Sequence, residues 1–109
     1  MKGKSTLPPL PGTRSHPAPT HLEKPEKALW RELMASHQFD DPASLALLRT
    51  TLEAHQRARR CREAIDKEGE TVKDRFDQIK PHPLLAAERD ARSAFLVGMR
   101  ALNLDTTGV

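Results

Sequence analysis

The sequence predicts an all-α fold: one short N-terminal helix, then an antiparallel pair of longer helices, with a small hairpin or loop at 70–80 and a disordered Pro-rich tail in front. Three observations carry that reading. Five of the nine prolines fall within residues 1–24, and at Pro25 the chain changes to apolar residues at helical spacing. From Pro42 to Gly69 there is neither Pro nor Gly between the two. From Leu84 to Leu102 a helical period returns.

Residues 1–24 carry Lys2, Lys4, Arg14 and Lys24 against Glu23 alone, so the chain's whole net charge of +3 sits there. With so few large apolar side chains, this stretch cannot offset the entropy of ordering it. Pro25 suits a first helical position, where its missing N–H costs nothing. Ala28, Leu29, Trp30, Leu33 and Met34 then give a short helix one apolar face, ending around Ser36–Gln38. Asp41 before Pro42 is a second start signal, with the carboxylate as cap. A helix over 42–68 is about 40 Å long, more than a 109-residue globule needs.

That helix has two stripes. Leu45, Leu48 and Leu52 lie on one side, in its first half only. Leu47, Ala54, Ala58, Cys61 and Ile65 form a second stripe of mostly small residues along its length, permitting close approach of another helix. Gly69 is the expected left-handed terminator. Residues 70–80 break the period, with Val72, Phe76 and Ile79 as the apolar side chains. Pro83 opens the last helix, where Leu84, Ala87, Ala91, Phe95, Gly98 and Leu102 share a face. Asn103 is a plausible αL terminator. The expected organisation is a basic tail (1–24), a helical domain (25–105) and a flexible end (106–109).

Composition excludes several classes. Hydrophobic residues are 37% and aromatics 4% of the chain, so a lone core is marginal and further burial is expected from copies or a partner. One Cys rules out an intrachain disulfide framework and a Cys-rich zinc site. No run approaches the ~18 apolar residues of a membrane span, and the Pro-rich start is no secretory signal; an intracellular protein is expected. There is no GxxxxGK[ST] loop. Asp40 and Asp41 read as capping residues, and His82, between two prolines, as a cap or turn residue. No metal, no cofactor and no catalytic residue is expected.

The order of the segments Pro25-Glu26-Lys27-Ala28-Leu29-Trp30, Asp40-Asp41-Pro42-Ala43-Ser44-Leu45-Ala46-Leu47-Leu48, Glu68-Gly69, Lys80-Pro81-His82-Pro83-Leu84-Leu85 and Leu102-Asn103-Leu104 resembles the small subunits of tailed-bacteriophage DNA-packaging terminases. The resemblance covers roughly residues 20–105. Asn is expected at His82, Gly at Asn103 and Pro after Leu104; these departures touch the caps, not the topology. The resemblance implies a non-catalytic subunit that forms rings, binds double-stranded viral DNA and delivers it to a large subunit holding the ATPase and nuclease, in the host bacterial cytoplasm.

DNA binding requires cations facing phosphates. The candidates are Arg57, Arg59, Arg60 and Arg62 of the long helix, with Lys2, Lys4 and Arg14 of the tail. On a helical wheel Arg59 and Arg62 flank the small-residue stripe on one side, Arg57 and Arg60 on the other. The competing reading is a salt-bridged, solvated face, with Glu53–Arg57, Arg59–Glu63 and Arg62–Asp66 as i,i+4 pairs. Trp30, Leu47, Ala54, Ala58, Cys61, Ile65 and Phe95 are assigned to the core or an interface between copies. Arg89, Arg92 and Arg100 mark the exposed side of the last helix. Two other functions fit the same pattern: a purely structural helical oligomerisation module, and a small helix-turn-helix regulator turning at Phe39–Pro42.

Overall fold

A computed structural model describes residues 16–104. Helix α1 spans Lys24–Ser36, α2 Pro42–Glu68 and α3 Leu84–Ala101; strands β1 (Thr71–Lys73) and β2 (Ile79–Pro81) lie between the last two helices. Helices dominate as expected. "All-α" is nevertheless approximate, because residues 71–81 form an antiparallel hairpin, with Thr71 opposite Pro81 and Lys73 opposite Ile79.

Local chemistry fixes these boundaries. The Asp41 carboxylate accepts from the Ser44 N–H at 3.0 Å, satisfying one of the orphan donors of α2. Its C-cap is Gly69 at φ 93°, ψ 159°. The positive φ requires glycine, but the ψ lies outside the left-handed helical region expected there. In the hairpin, Asp74 Oδ1 accepts from the Phe76 and Gln78 N–H groups at 2.8 and 3.0 Å, and Asp77 takes φ 64°. A side-chain-closed turn of this kind is local to aspartate and needs no packed core.

Two of the three departures from the expected caps are solved by the residue present; the third, after Leu104, lies outside the described residues. His82 Nδ1 accepts from the Leu84 N–H at 3.0 Å at the start of α3. That leaves Nε2 to donate to Glu68 Oε1 at 2.6 Å, tying the end of α2 to the start of α3. Asn103 sits at φ 59°. Its N–H donates to Arg100 and the Leu104 N–H to Met99, the paired bonds of a Schellman ending.

The core joins all three helices. Leu22, Trp30, Phe39, Leu48 and Leu52 are buried together, and Leu29, Leu33, Leu45, Phe95 and Leu102 pack against them. The leucine stripe of α2 therefore faces α1, while Cys61 and Ile65 of the small-residue stripe are buried where α2 and α3 pair. The two helices come close at Gly98: a Cβ there would stand 2.0 Å from Thr51 Oγ1 and 2.9 Å from Thr51 Cβ. Leu47, Ala54, Ala58 and Phe95 are half-buried, whereas Trp30 is buried.

The expected tail needs one correction. Residues 16–23 are part of the folded unit: Leu22 is buried in the core and the His16 carbonyl accepts from Trp30 Nε1–H at 2.9 Å. The indole's need for a partner when buried accounts for this strap. Lys2, Lys4, Arg14 and residues 106–109 lie outside the described residues. Among those described, no helix is long and apolar enough to cross a membrane.

Candidate nucleic-acid interface

The arginine run of α2 begins where its leucine stripe ends. Leu45, Leu48 and Leu52 are succeeded, on the same side, by His55, Gln56 and Arg59. The residues opposite change in step, from Trp30 to Glu26 and Glu23. Glu26 is fully buried. Arg59 grips it with two bonds, Nε to Oε2 at 3.0 Å and Nη2 to Oε1 at 2.9 Å. His55 Nδ1 donates to Oε2 at 2.6 Å, and its ring meets Phe95 edge-on at 5.0 Å between centroids.

Glu23 completes the cluster. It accepts from Arg59 Nη2 and from Arg60 Nη2 and Nε, the last at 3.0 Å. Its own N–H donates to Gln56 Oε1 at 2.7 Å, and His21 pairs with Glu53 at 2.6 Å. Together these contacts clasp the start of α1 to the middle of α2.

The electrostatics follow from the contacts. Burial pushes the Glu26 carboxyl up, but the hydrogen bonds and charges of Arg59 and His55 outweigh it and hold the group below the usual carboxylate range. Hydrogen bonds from Arg60 and then Arg59 lower Glu23. In return Glu26 raises Arg59 and Glu23 raises Arg60. Both guanidiniums are permanently charged.

The four candidate arginines are thus in different situations. Arg59 is bound to Glu26, Glu23 and Glu63, the last at 3.1 Å. Arg60 is bound to Glu23 and Arg62 to Asp66 and Glu88. The Arg59–Glu63 and Arg62–Asp66 pairs form as the spacing predicts; the Glu53–Arg57 pair does not, because Glu53 turns to His21. Arg57 is exposed, with no carboxylate in ion-pair range among the described residues.

Sequence reasoning passed over Glu23 and Glu26. The sequence shows two carboxylates at i,i+3, but not that they face the side on which the leucine stripe turns basic, a contact 33 residues apart.

Two open grooves flank the α2–α3 seam, one on each side of the small-residue stripe. The first, about 870 Å³, is lined by Ala54, Cys61, Ala87, Ala91 and Ala94, with Arg57 and Arg60 at its edge. The second, about 460 Å³, has Ala58, Phe95 and Leu96 as its apolar lining and Arg59, Arg62 and Arg92 around it. Leu96 and Val97 of α3 are 53% and 60% exposed. Among the described residues no group of His, Cys, Asp and Glu is placed to hold a metal ion.

These features define a helical-hairpin protein whose chemistry lies in ion pairs and open helix faces. Residues 27–107 match the family described as phage terminase, small subunit, and the chain belongs to that family. No curated protein and no solved structure matches. Membership places the chain in phage DNA packaging, where the small subunit is generally the non-catalytic component and the partners in general are DNA and a large subunit.

Proposed function

We propose that the protein is the ring-forming DNA-recognition subunit of a packaging terminase, holding viral DNA and delivering it to the large subunit in the host bacterial cytoplasm without catalysing a reaction itself. The observation that carries this reading is the unfinished surface of the α2–α3 pair. Its small-residue grooves, the first of them lined in part by Arg57, and exposed Leu96 and Val97 offer packing to identical subunits. Repetition around a ring multiplies a modest charge per subunit into a strong polyanion site. Arg57 contributes charge that no carboxylate among the described residues pairs; Lys2, Lys4 and Arg14 add to it, and Arg59, Arg60 and Arg62 lie alongside.

Light scattering on the eluting protein should give an oligomer of defined mass. Binding of a duplex should weaken by roughly 10³ between 50 and 200 mM salt if six or more phosphates are neutralised. A monomer, or a duplex affinity indifferent to salt, would overturn the reading. One observation favours the structural module instead: Arg59, Arg60 and Arg62 all have carboxylate partners within the chain. An oligomer that ignores DNA would decide for it. The helix-turn-helix reading has less support, since Leu48, in the first half of its would-be recognition helix, is fully buried.

A further inference from the structure

We propose that Arg60 and the outer edge of Arg59 form a phosphate-binding fork that Glu23 occupies in the resting protein, so that DNA backbone and Glu23 compete for one site. The ligand follows from the DNA-binding reading above; the fork and its occupant follow from geometry alone.

Three N–H groups from two guanidiniums converge on the Glu23 carboxylate. Arg59 Nη2 donates to one oxygen, and Arg60 Nε and Nη2 donate to the other. Two oxygens on a single anionic centre, met by planar forks, is the arrangement a phosphodiester's non-bridging oxygens also satisfy.

The two carboxylates of the clasp differ in how firmly they are held. Glu26 is buried and gripped by Arg59 in bidentate fashion. The Glu23 side chain is 34% exposed and that of Arg60 61%, a setting in which an ion pair contributes little. Glu23 also stands on the extended residue before α1, and its side chain makes no capping bond. It can leave without uncapping the helix. When it leaves, Arg59 stays anchored by Glu26 and Glu63, and the Nη2 N–H that had bonded Glu23 is freed while Nη2 keeps its bond to Glu26 Oε1. Arg60 has no second carboxylate partner among the described residues, and exposed Arg57 lies three positions before it on α2.

A tethered carboxylate suppresses weak anions, while a polyanion contacting several subunits at once displaces it. Binding would then loosen the docking of residues 16–23, and firmer docking would weaken binding by the same factor.

The test uses the full chain and two probes: a labelled duplex titrated across salt concentrations, and inorganic pyrophosphate followed through the Arg60 Nε–H resonance. Glu23→Gln should tighten duplex binding by about three- to tenfold at low salt and steepen the log–log salt dependence by about one. Adding Arg60→Gln should remove both gains. Glu23→Ala, carrying no residual acceptor, should behave like Glu23→Gln, with thermal melts establishing that each variant is folded. If wild-type protein binds duplex and neither variant changes affinity or slope, the fork is not a phosphate site, and the DNA-binding reading survives. If no form binds duplex but pyrophosphate shifts Arg60 in the variants, the fork stands and the DNA reading falls. If neither probe responds, both are wrong.

Discussion

The two halves of α2 meet α1 by opposite means. In the first half Leu48 and Leu52 are buried against Trp30 and Phe39; in the second, His55 and Arg59 close on Glu26 and Glu23. Apolar burial is non-directional and scales with area. The clasp gains less net free energy, because desolvating charges offsets much of their attraction, but it is costly to break from one side. The leucine half supplies adhesion, and the charged half fixes the register of α1 on α2.

The comparison can be broken first at its apolar end. Trp30→Ala should cost about 4 kcal/mol, a large part of what a domain this small possesses, measured by urea unfolding. At the polar end, Arg59→Met leaves the buried Glu26 carboxylate without its main partner and should cost about 3 kcal/mol. The paired change Arg59→Met with Glu26→Met should recover most of that. If the double variant is no better than the single, the carboxylate is not what the arginine stabilises.

Acid separates the halves without mutation. Glu23 and Glu26 both have lowered pKa values in the fold, so their contribution is complete above the ordinary carboxylate value near 4.3. It is lost as pH falls through the depressed folded values. Thermal melts should therefore show a stability drop below about pH 4.3 that is reduced in the Arg59→Met, Glu26→Met pair. Packing between α2 and α3 gives a smaller effect. Gly98→Ala improves helix propensity but drives a methyl into Thr51, and a net loss of about 1–2 kcal/mol is expected. The smallest change is Asp41→Ala, which removes the α2 cap bond and should lower Tm slightly.

Much of this architecture was readable in the residues. Prolines at 25, 42 and 83 and the breakers Gly69 and Asn103 punctuate the chain where the helices change, because backbone restrictions act locally. The i,i+4 pairs Arg59–Glu63 and Arg62–Asp66 are equally local. What escaped prediction is long-range. The Glu26–Arg59 contact spans 33 residues, and a helical wheel of α2 alone cannot say that its basic side faces carboxylates. Burial of Leu22 within a Pro-rich stretch escaped for the same reason: it depends on a pocket built by Trp30, Leu48 and Leu52. The arginine run was visible as charge, but its partners were not.

The family match begins at Lys27, one position past Glu26. A fragment trimmed to that span would lose both anions that hold Arg59 and Arg60, together with Leu22 and the strap over Trp30. It would expose a permanent cationic notch in the middle of α2 and melt earlier than the parent; under the proposed function it would also bind duplex more tightly. The shortened piece would be the less stable of the two, because the strap and the carboxylates that dock α1 on α2 lie outside it.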